Sequence, residues 1–440
     1  MYYFKVFLSV LFLFLGIVAS FNWWVDPYFI FRQKNYDATR PVLISKQTSL
    51  AKALYVSKLR PRGLILGSSR AQLAISPEHS GWNSQARPMY NLALPGANMY
   101  QIRRYFQHAQ AIMPLKEVLV GLDFFGFNIY YPPTADFDES FLAVTPEGKN
   151  SKNKTLRMID TLLTSYTTKS SWNMVKNKNN PTHLLNGMET FKPSNGGVTE
   201  KVFLNSLIPY LNYKIFSPPS RKFCLYDKNG YSSAFDSVKI LIREARKYHI
   251  ALHLVIHPIH ASQLFAISQV GLTGQFEEWK NKLSHLVSEG FKTNDYAENI
   301  YLWDFGYYNS ITEEMPSQAT SNIPMKWYSG DGIHYKKELG DLILNRIFGG
   351  QNSDLLTPND FGIRIRLKNI ESHLQADRKK GRAYGEKYQK NLIVALNSAV
   401  VFKKKIALND CQTHLSAPSQ FLNNKMTHYK KGDWFQGKPN

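Results

Sequence analysis

The chain has 440 residues, enough to bury a full core, so one large elaborated domain and two domains are both compatible with it. Lysine and arginine outnumber aspartate and glutamate by 54 to 33, a formal charge of +21, which fits either an anionic surface or polymer nearby or a basic solvated face with no specific anion. No zinc-finger spacing, RNP-like aromatic motif or recognition helix accompanies that charge, so nucleic acid is not an expected partner, and Cys224 and Cys411 alone exclude a disulfide framework or a cysteine metal cluster.

Unpaired thiols are the default for these two cysteines, with one bridge as the alternative in an oxidising compartment. Val6 to Val25 is an uncharged run rich in Leu, Phe and Val, about the ~20 residues a helix needs to cross a bilayer. Tyr2, Tyr3 and Phe4 precede it and Trp23, Trp24 and Tyr28 follow, as at the two membrane interfaces. The reading is a single membrane anchor over residues 1–28; Val18-Ala19-Ser20 also fits a signal-peptide cleavage site. Lys5 against Arg32, Lys34 and Arg40 puts the long part in the cytoplasm by the positive-inside rule alone. A long domain after an N-terminal signal anchor is usually exported, so the expectation is a single-pass inner or cytoplasmic membrane protein with its main domain on the periplasmic or extracellular side.

After a linker at 29–59, strands and helices alternate over 60–350. Leu64 to Leu66 reads as a buried strand ending in Gly67-Ser68-Ser69, and Tyr90 to Leu94 as a short strand ending at Pro95-Gly96. Asn98 caps a helix to Met113, and Glu117 to Leu122 is apolar enough for a strand buried on both faces. Residues 128–232 lack periodicity and read as an insertion forming a lid or substrate surface, or as a surface excursion. Helical spacing returns from Phe235 to Tyr248, followed by a strand at Ala251 to Ile256, a helix at Phe276 to Leu286, a strand at Ile300 to Trp303 and a helix from Lys336 to Phe348. This succession predicts an α/β fold with a mostly parallel sheet and helices on both faces. Residues 351–440 read as a basic, partly helical appendage, with Arg364, Arg366, the Arg378-Lys379-Lys380 cluster and Lys403 to Lys405.

Three separated pieces converge if the strands share one parallel sheet: Ser69, Gly96, and the pair Asp331 and His334. A serine needs a base within hydrogen-bond reach, which His334 supplies, and Asp331 can hold the other imidazole nitrogen. The backbone amides of Ser69 and Gly96 are the natural oxyanion donors. His257 and His260 leave the next strand and face the same edge, as sugar or acyl-donor contacts or as polar packing; no matching carboxylate or cysteine makes them a metal pair. Arg70 reads as an anion contact or an ion-paired edge residue. Aromatic residues, 14% of the chain, fit carbohydrate stacking in the insertion as well as core and membrane-belt packing.

Gly67-Ser68-Ser69, Asn91-Leu92-Ala93-Leu94-Pro95-Gly96-Ala97-Asn98 and Asp331-Gly332-Ile333-His334, in that order across about 60–350, resemble the blocks of the SGNH or GDSL-like hydrolase superfamily. The resemblance implies a flavodoxin-like three-layer sandwich and a Ser69–His334–Asp331 triad with no cofactor. It points to members that acetylate exopolysaccharides or handle cell-wall esters, and so to a glycan or acyl-ester substrate, with an acyl-donor or polysaccharide-synthesis membrane protein as a partner. Two positions depart from the pattern: Ser68 replaces the commonest Asp, and Asp123 stands where the family supplies an oxyanion Asn. An ionised Asp123 repels an oxyanion, so it is protonated, or orients the loop and contacts substrate, or is replaced by Asn128. The rival expectation is a catalytically inactive glycan-binding or assembly protein on the same fold.

Overall fold

A computed structural model describes residues 1–28, 31, 41–42, 48–151, 161–176, 183–190, 199–289, 299–316, 324–349 and 356–396. Its centre is a six-stranded sheet: β1 (Gly63–Leu66), β2 (Met89–Asn91), β3 (Glu117–Leu122), β4 (Ala251–Ile256), β5 (Ile300–Asp304) and β6 (Ile363–Ile365). The strand order is β2-β1-β3-β4-β5-β6; the first five are parallel and β6 runs antiparallel to β5. Val118, Leu119, Val120, Leu252, Leu254 and Ile256 are fully buried, as continuous apolar strands covered on both faces require. The chain is thus α/β with a mostly parallel mixed sheet.

The order reverses direction between β1 and β3, which leaves a crevice beyond their carboxyl ends. Right-handed crossovers then put α3 (Ser69–Ala74) on one face and α4 (Met99–Ile112) with α6 (Ser233–Lys247) on the other. The contacts agree: α4 packs on α6, and α3 packs on α9 (Lys337–Phe348). The α3–α9 approach is close because Gly340 has no side chain; a Cβ there would sit 2.0 Å from the Ala74 carbonyl oxygen. Asn98 caps α4 through a capping box with Gln101, the start signal legible in the sequence.

Two expected boundaries move. The span read as a linker contains α2 (Thr48–Leu59), whose Ala51, Ala53, Leu54 and Val56 are buried and which packs on α4. The C-terminal appendage starts too early at 351, because β6 completes the sheet and α10 (Ile370–Leu396) packs on α7 (Ala261–Gln269) and α8 (Thr273–Ser288). Lys403 to Lys405 lie outside the described residues. Cys224 is buried and disulfide-bonded, which corrects the default of two free thiols; Cys411, the sequence's other cysteine, lies outside the described residues.

The join between α10 and the sheet is ionic. Asp304, at the end of β5, is buried with Lys280 Nζ of α8 at 2.7 Å and His373 Nε2 of α10 at 2.9 Å. Burial alone would raise the Asp304 pKa, but Lys280 and His373 outweigh it and hold the carboxylate well below its usual range. A depressed folded pKa contributes stability that is complete above the unfolded value of about 4 and is lost as pH falls towards the folded one. Lys280→Met strands the buried carboxylate and is expected to cost ~3–5 kcal/mol in urea unfolding near neutral pH, less in acid.

The first helix, α1 (Tyr2–Val25), is long and apolar enough to cross a membrane, as a membrane anchor and a signal sequence both are, and it exposes Phe7, Phe12 and Phe14. Its C-terminal end meets α5 (Ser165–Lys176) of the insertion: buried Asn22 donates to the Leu162 carbonyl at 2.7 Å and to Thr168 Oγ1 at 3.0 Å.

Candidate active site

Strand β1 ends at Gly67, whose φ of +145° turns the chain sharply, and a Cβ there would press on the Gly121 carbonyl oxygen of β3 at 3.2 Å. Ser68 then caps α3, its Oγ accepting from the Arg70 amide at 3.2 Å. Ser69 is the first helical residue and remains half-exposed at the crevice. So the two serines divide: one builds the turn and the next presents its hydroxyl.

The partners come from the turn before α9. Ser69 Oγ lies 2.8 Å from His334 Nε2, and His334 Nδ1 lies 2.6 Å from Asp331 Oδ2. Asp331 Oδ1 also accepts from the amides of Ile333 at 2.9 Å and His334 at 3.0 Å, and from Ser329 Oγ. Burial would raise the Asp331 pKa, but the hydrogen bond and charge of His334 dominate and hold it well below the carboxylate range. An ionised carboxylate can only accept, which fixes the proton on Nδ1 and leaves Nε2 to accept from Ser69. The result is a line of proton donors running from the serine to the carboxylate.

Arg70 and Asp123, read as substrate contacts, are instead buried and bound to each other, Nη1 to Oδ1 at 2.7 Å. Burial works to raise the Asp123 pKa and the Arg70 charge outweighs it, so the net shift is downward and the carboxylate is ionised. Of the three roles open to Asp123, protonation is overturned, and its charge is committed to positioning. Arg70 also donates from Nε to the Ile333 carbonyl at 2.9 Å and from Nη2 to Gln263 Oε1 at 2.8 Å; Gln263 Nε2 in turn donates to the Gly332 carbonyl at 2.8 Å. The guanidinium therefore ties β3 and α7 to the turn that carries Asp331 and His334.

Asn128 is not an available oxyanion donor. Its Nδ2 donates to the carbonyls of Ile215 at 3.1 Å and Lys222 at 2.8 Å, and its Oδ1 accepts from the Tyr130 and Cys224 amides at 3.1 and 3.2 Å. His257 is fully buried, bonded through Nδ1 to Tyr335 Oη at 2.8 Å and packed on Gly121, where a Cβ would lie 2.0 Å from its Nε2. Burial lowers its pKa to about 4, so it is neutral. His260 is likewise buried and neutral, its pKa lowered by burial to about 4; it caps α7 and bonds Ser262 Oγ at 2.8 Å. Both histidines are buried and bonded within the protein through Nδ1.

Gly96, read as the oxyanion glycine, makes the turn after β2 with a φ of +71°. Among the described residues the amides of Ser69 and Gly96 have no hydrogen-bond partner. Lys52 of α2 fixes the chain leading to Gly96, donating to the carbonyls of Asn91 at 3.0 Å and Ala93 at 2.6 Å. Burial pushes its pKa down to about 7, with Glu189 opposing. The insertion contributes Tyr131 and Lys214, whose Oη and Nζ stand over Gly96. Of these only Lys52 carries a sequence signal, a lone lysine within Leu50-Ala51-Lys52-Ala53-Leu54. No family model matches the chain, and no curated protein matches it.

Proposed function

We propose that the chain is an envelope enzyme of the SGNH or GDSL-like type, with a flavodoxin-like sandwich, that transfers or hydrolyses an ester-linked acyl group, acetyl foremost, on a glycan or exopolysaccharide. The observation that carries this reading is the unbroken Ser69–His334–Asp331 line at the carboxyl edge of a parallel sheet. Ser69 Oγ attacks the ester carbonyl while its proton passes to His334 Nε2. The imidazolium, steadied by Asp331, returns that proton to the leaving alkoxide, and an acyl-serine remains. Water or a sugar hydroxyl then gives its proton to His334 as it attacks the acyl carbon, and His334 returns that proton to Ser69 Oγ as the acyl–serine bond breaks.

The bonded state of Cys224 fits a domain outside the reducing cytoplasm. The full chain in detergent, given a small activated acetyl ester, is expected to release acetate, and Ser69→Ala and His334→Ala are each expected to lose that activity. Equal rates in all three proteins would remove the triad and leave a non-catalytic glycan-binding protein as the surviving account.

A further inference from the structure

Acyl transfer needs donors aimed at the oxygen of the attacked carbonyl, where negative charge develops. Among the described residues the backbone amides of Ser69 and Gly96 have no partner and are open to that task. The side chain at the end of β3 cannot join them, because Asp123 is an ionised acceptor neutralised by Arg70. A third donor has to come from elsewhere.

The insertion brings one. In the π-helical turn Tyr210–Ile215, Tyr210 and Lys214 both lie within electrostatic reach of the Arg70–Asp123 pair. Lys214 Nζ donates to Tyr131 Oη at 3.1 Å and sits 5.4 Å from the Phe125 ring centroid. Among the described residues Tyr131 is its only hydrogen-bond partner, so two of its three N–H donors are unspent. The ammonium is held over Gly96: a Cβ on that residue would stand 3.1 Å from Nζ and 3.2 Å from Tyr131 Oη, closer than ordinary van der Waals contact.

We propose that Lys214 is the third oxyanion donor of this centre, its ammonium positioned by Tyr131 over the Gly96 turn. This rests on the serine-hydrolase reading above. As Ser69 Oγ forms its bond to the acyl carbon, the carbonyl π pair moves onto oxygen and is met by the Ser69 amide, the Gly96 amide and the Lys214 ammonium. When the tetrahedral species collapses, that pair re-forms the carbonyl, the leaving alkoxide takes the proton from His334, and Lys214 keeps its own. A cation in a half-buried, aromatic-walled position is worth more to a developing charge than the same cation in water, so the insertion supplies what the end of β3 no longer does.

The test uses the full chain and the same activated acetyl ester. Lys214→Met is expected to lower kcat by ~10²–10³-fold with KM within about threefold, the cost of removing one such donor. Lys214→Arg keeps the charge and is expected to retain more of kcat than Lys214→Met. Tyr131→Phe, which frees the ammonium without touching its charge, is expected to fall about tenfold. Melting temperatures of the variants are read alongside, and the arginine and phenylalanine variants carry the test if the methionine variant does not fold. A Lys214→Met enzyme within twofold of wild-type kcat, or one whose whole loss lies in KM, overturns the proposal while Ser69 dependence stands. Wild-type chain without Ser69-dependent turnover overturns the hydrolase reading and this inference with it.

Discussion

Ser69→Ala and His334→Ala are each expected to lower kcat on an activated ester by ~10⁴-fold or more, and the double variant to lose little beyond either one. The near-equality follows from geometry: the hydroxyl and the imidazole are joined at 2.8 Å, so either deletion removes the same activated nucleophile. Asp331→Asn loses less, because it leaves both groups in place and alters which nitrogen carries the proton. Additive losses in the double variant would contradict a shared unit. Single-turnover acylation, followed by release of the leaving group, reads these differences without interference from product release.

Arg70→Met is expected to have the second-largest effect, and on two readouts. Removing one partner of a buried pair leaves the other charge uncompensated, which costs ~3–5 kcal/mol in urea unfolding. The same change cuts the bonds to Ile333 and Gln263, which tie β3 and α7 to the turn that holds Asp331 and His334. Turnover is therefore expected to fall ~10²-fold even where the variant remains folded, because a nucleophile–base pair displaced by about an ångström loses alignment. Arg70→Met with Asp123→Leu is expected to recover most of the stability and little of the activity, since the stranded charge is gone but the tether is not. Recovery of both would make the pair a simple packing element.

Much of the frame was readable because its signals are local. Glu117–Leu122 and Ala251–Ile256 are apolar runs of strand length, and the structure gives both strands those bounds. The helix after Asn98 announces itself by its cap. The missed elements are those whose burial depends on distant partners. Helix α2 carries a lysine on its buried side, and β6 interleaves Arg364 between two isoleucines, so neither has a clean apolar pattern.

The candidate site divides the same way. Ser69, Gly96, Asp331 and His334 sit in short blocks at strand ends, where residue type and spacing suffice to single them out. Roles that depend on long-range pairing were not readable. Asp123 looks like a damaged oxyanion donor until Arg70, 53 residues away, is seen to claim it, and Asn128 looks available until the carbonyls of Ile215 and Lys222 are seen to occupy its amide. Lys214 lies in a stretch with no periodicity, and only the folded insertion brings it to Gly96.

The Ser69 hydroxyl, bonded to His334 Nε2 at 2.8 Å, is expected to be an activated nucleophile. The direct measurement is intact-mass and peptide mapping of the full chain after treatment with a serine-directed fluorophosphonate. One adduct per chain, on the peptide carrying Ser69, lost in His334→Ala, is the predicted result; an unlabelled protein, or label on another residue that is indifferent to His334, would contradict it.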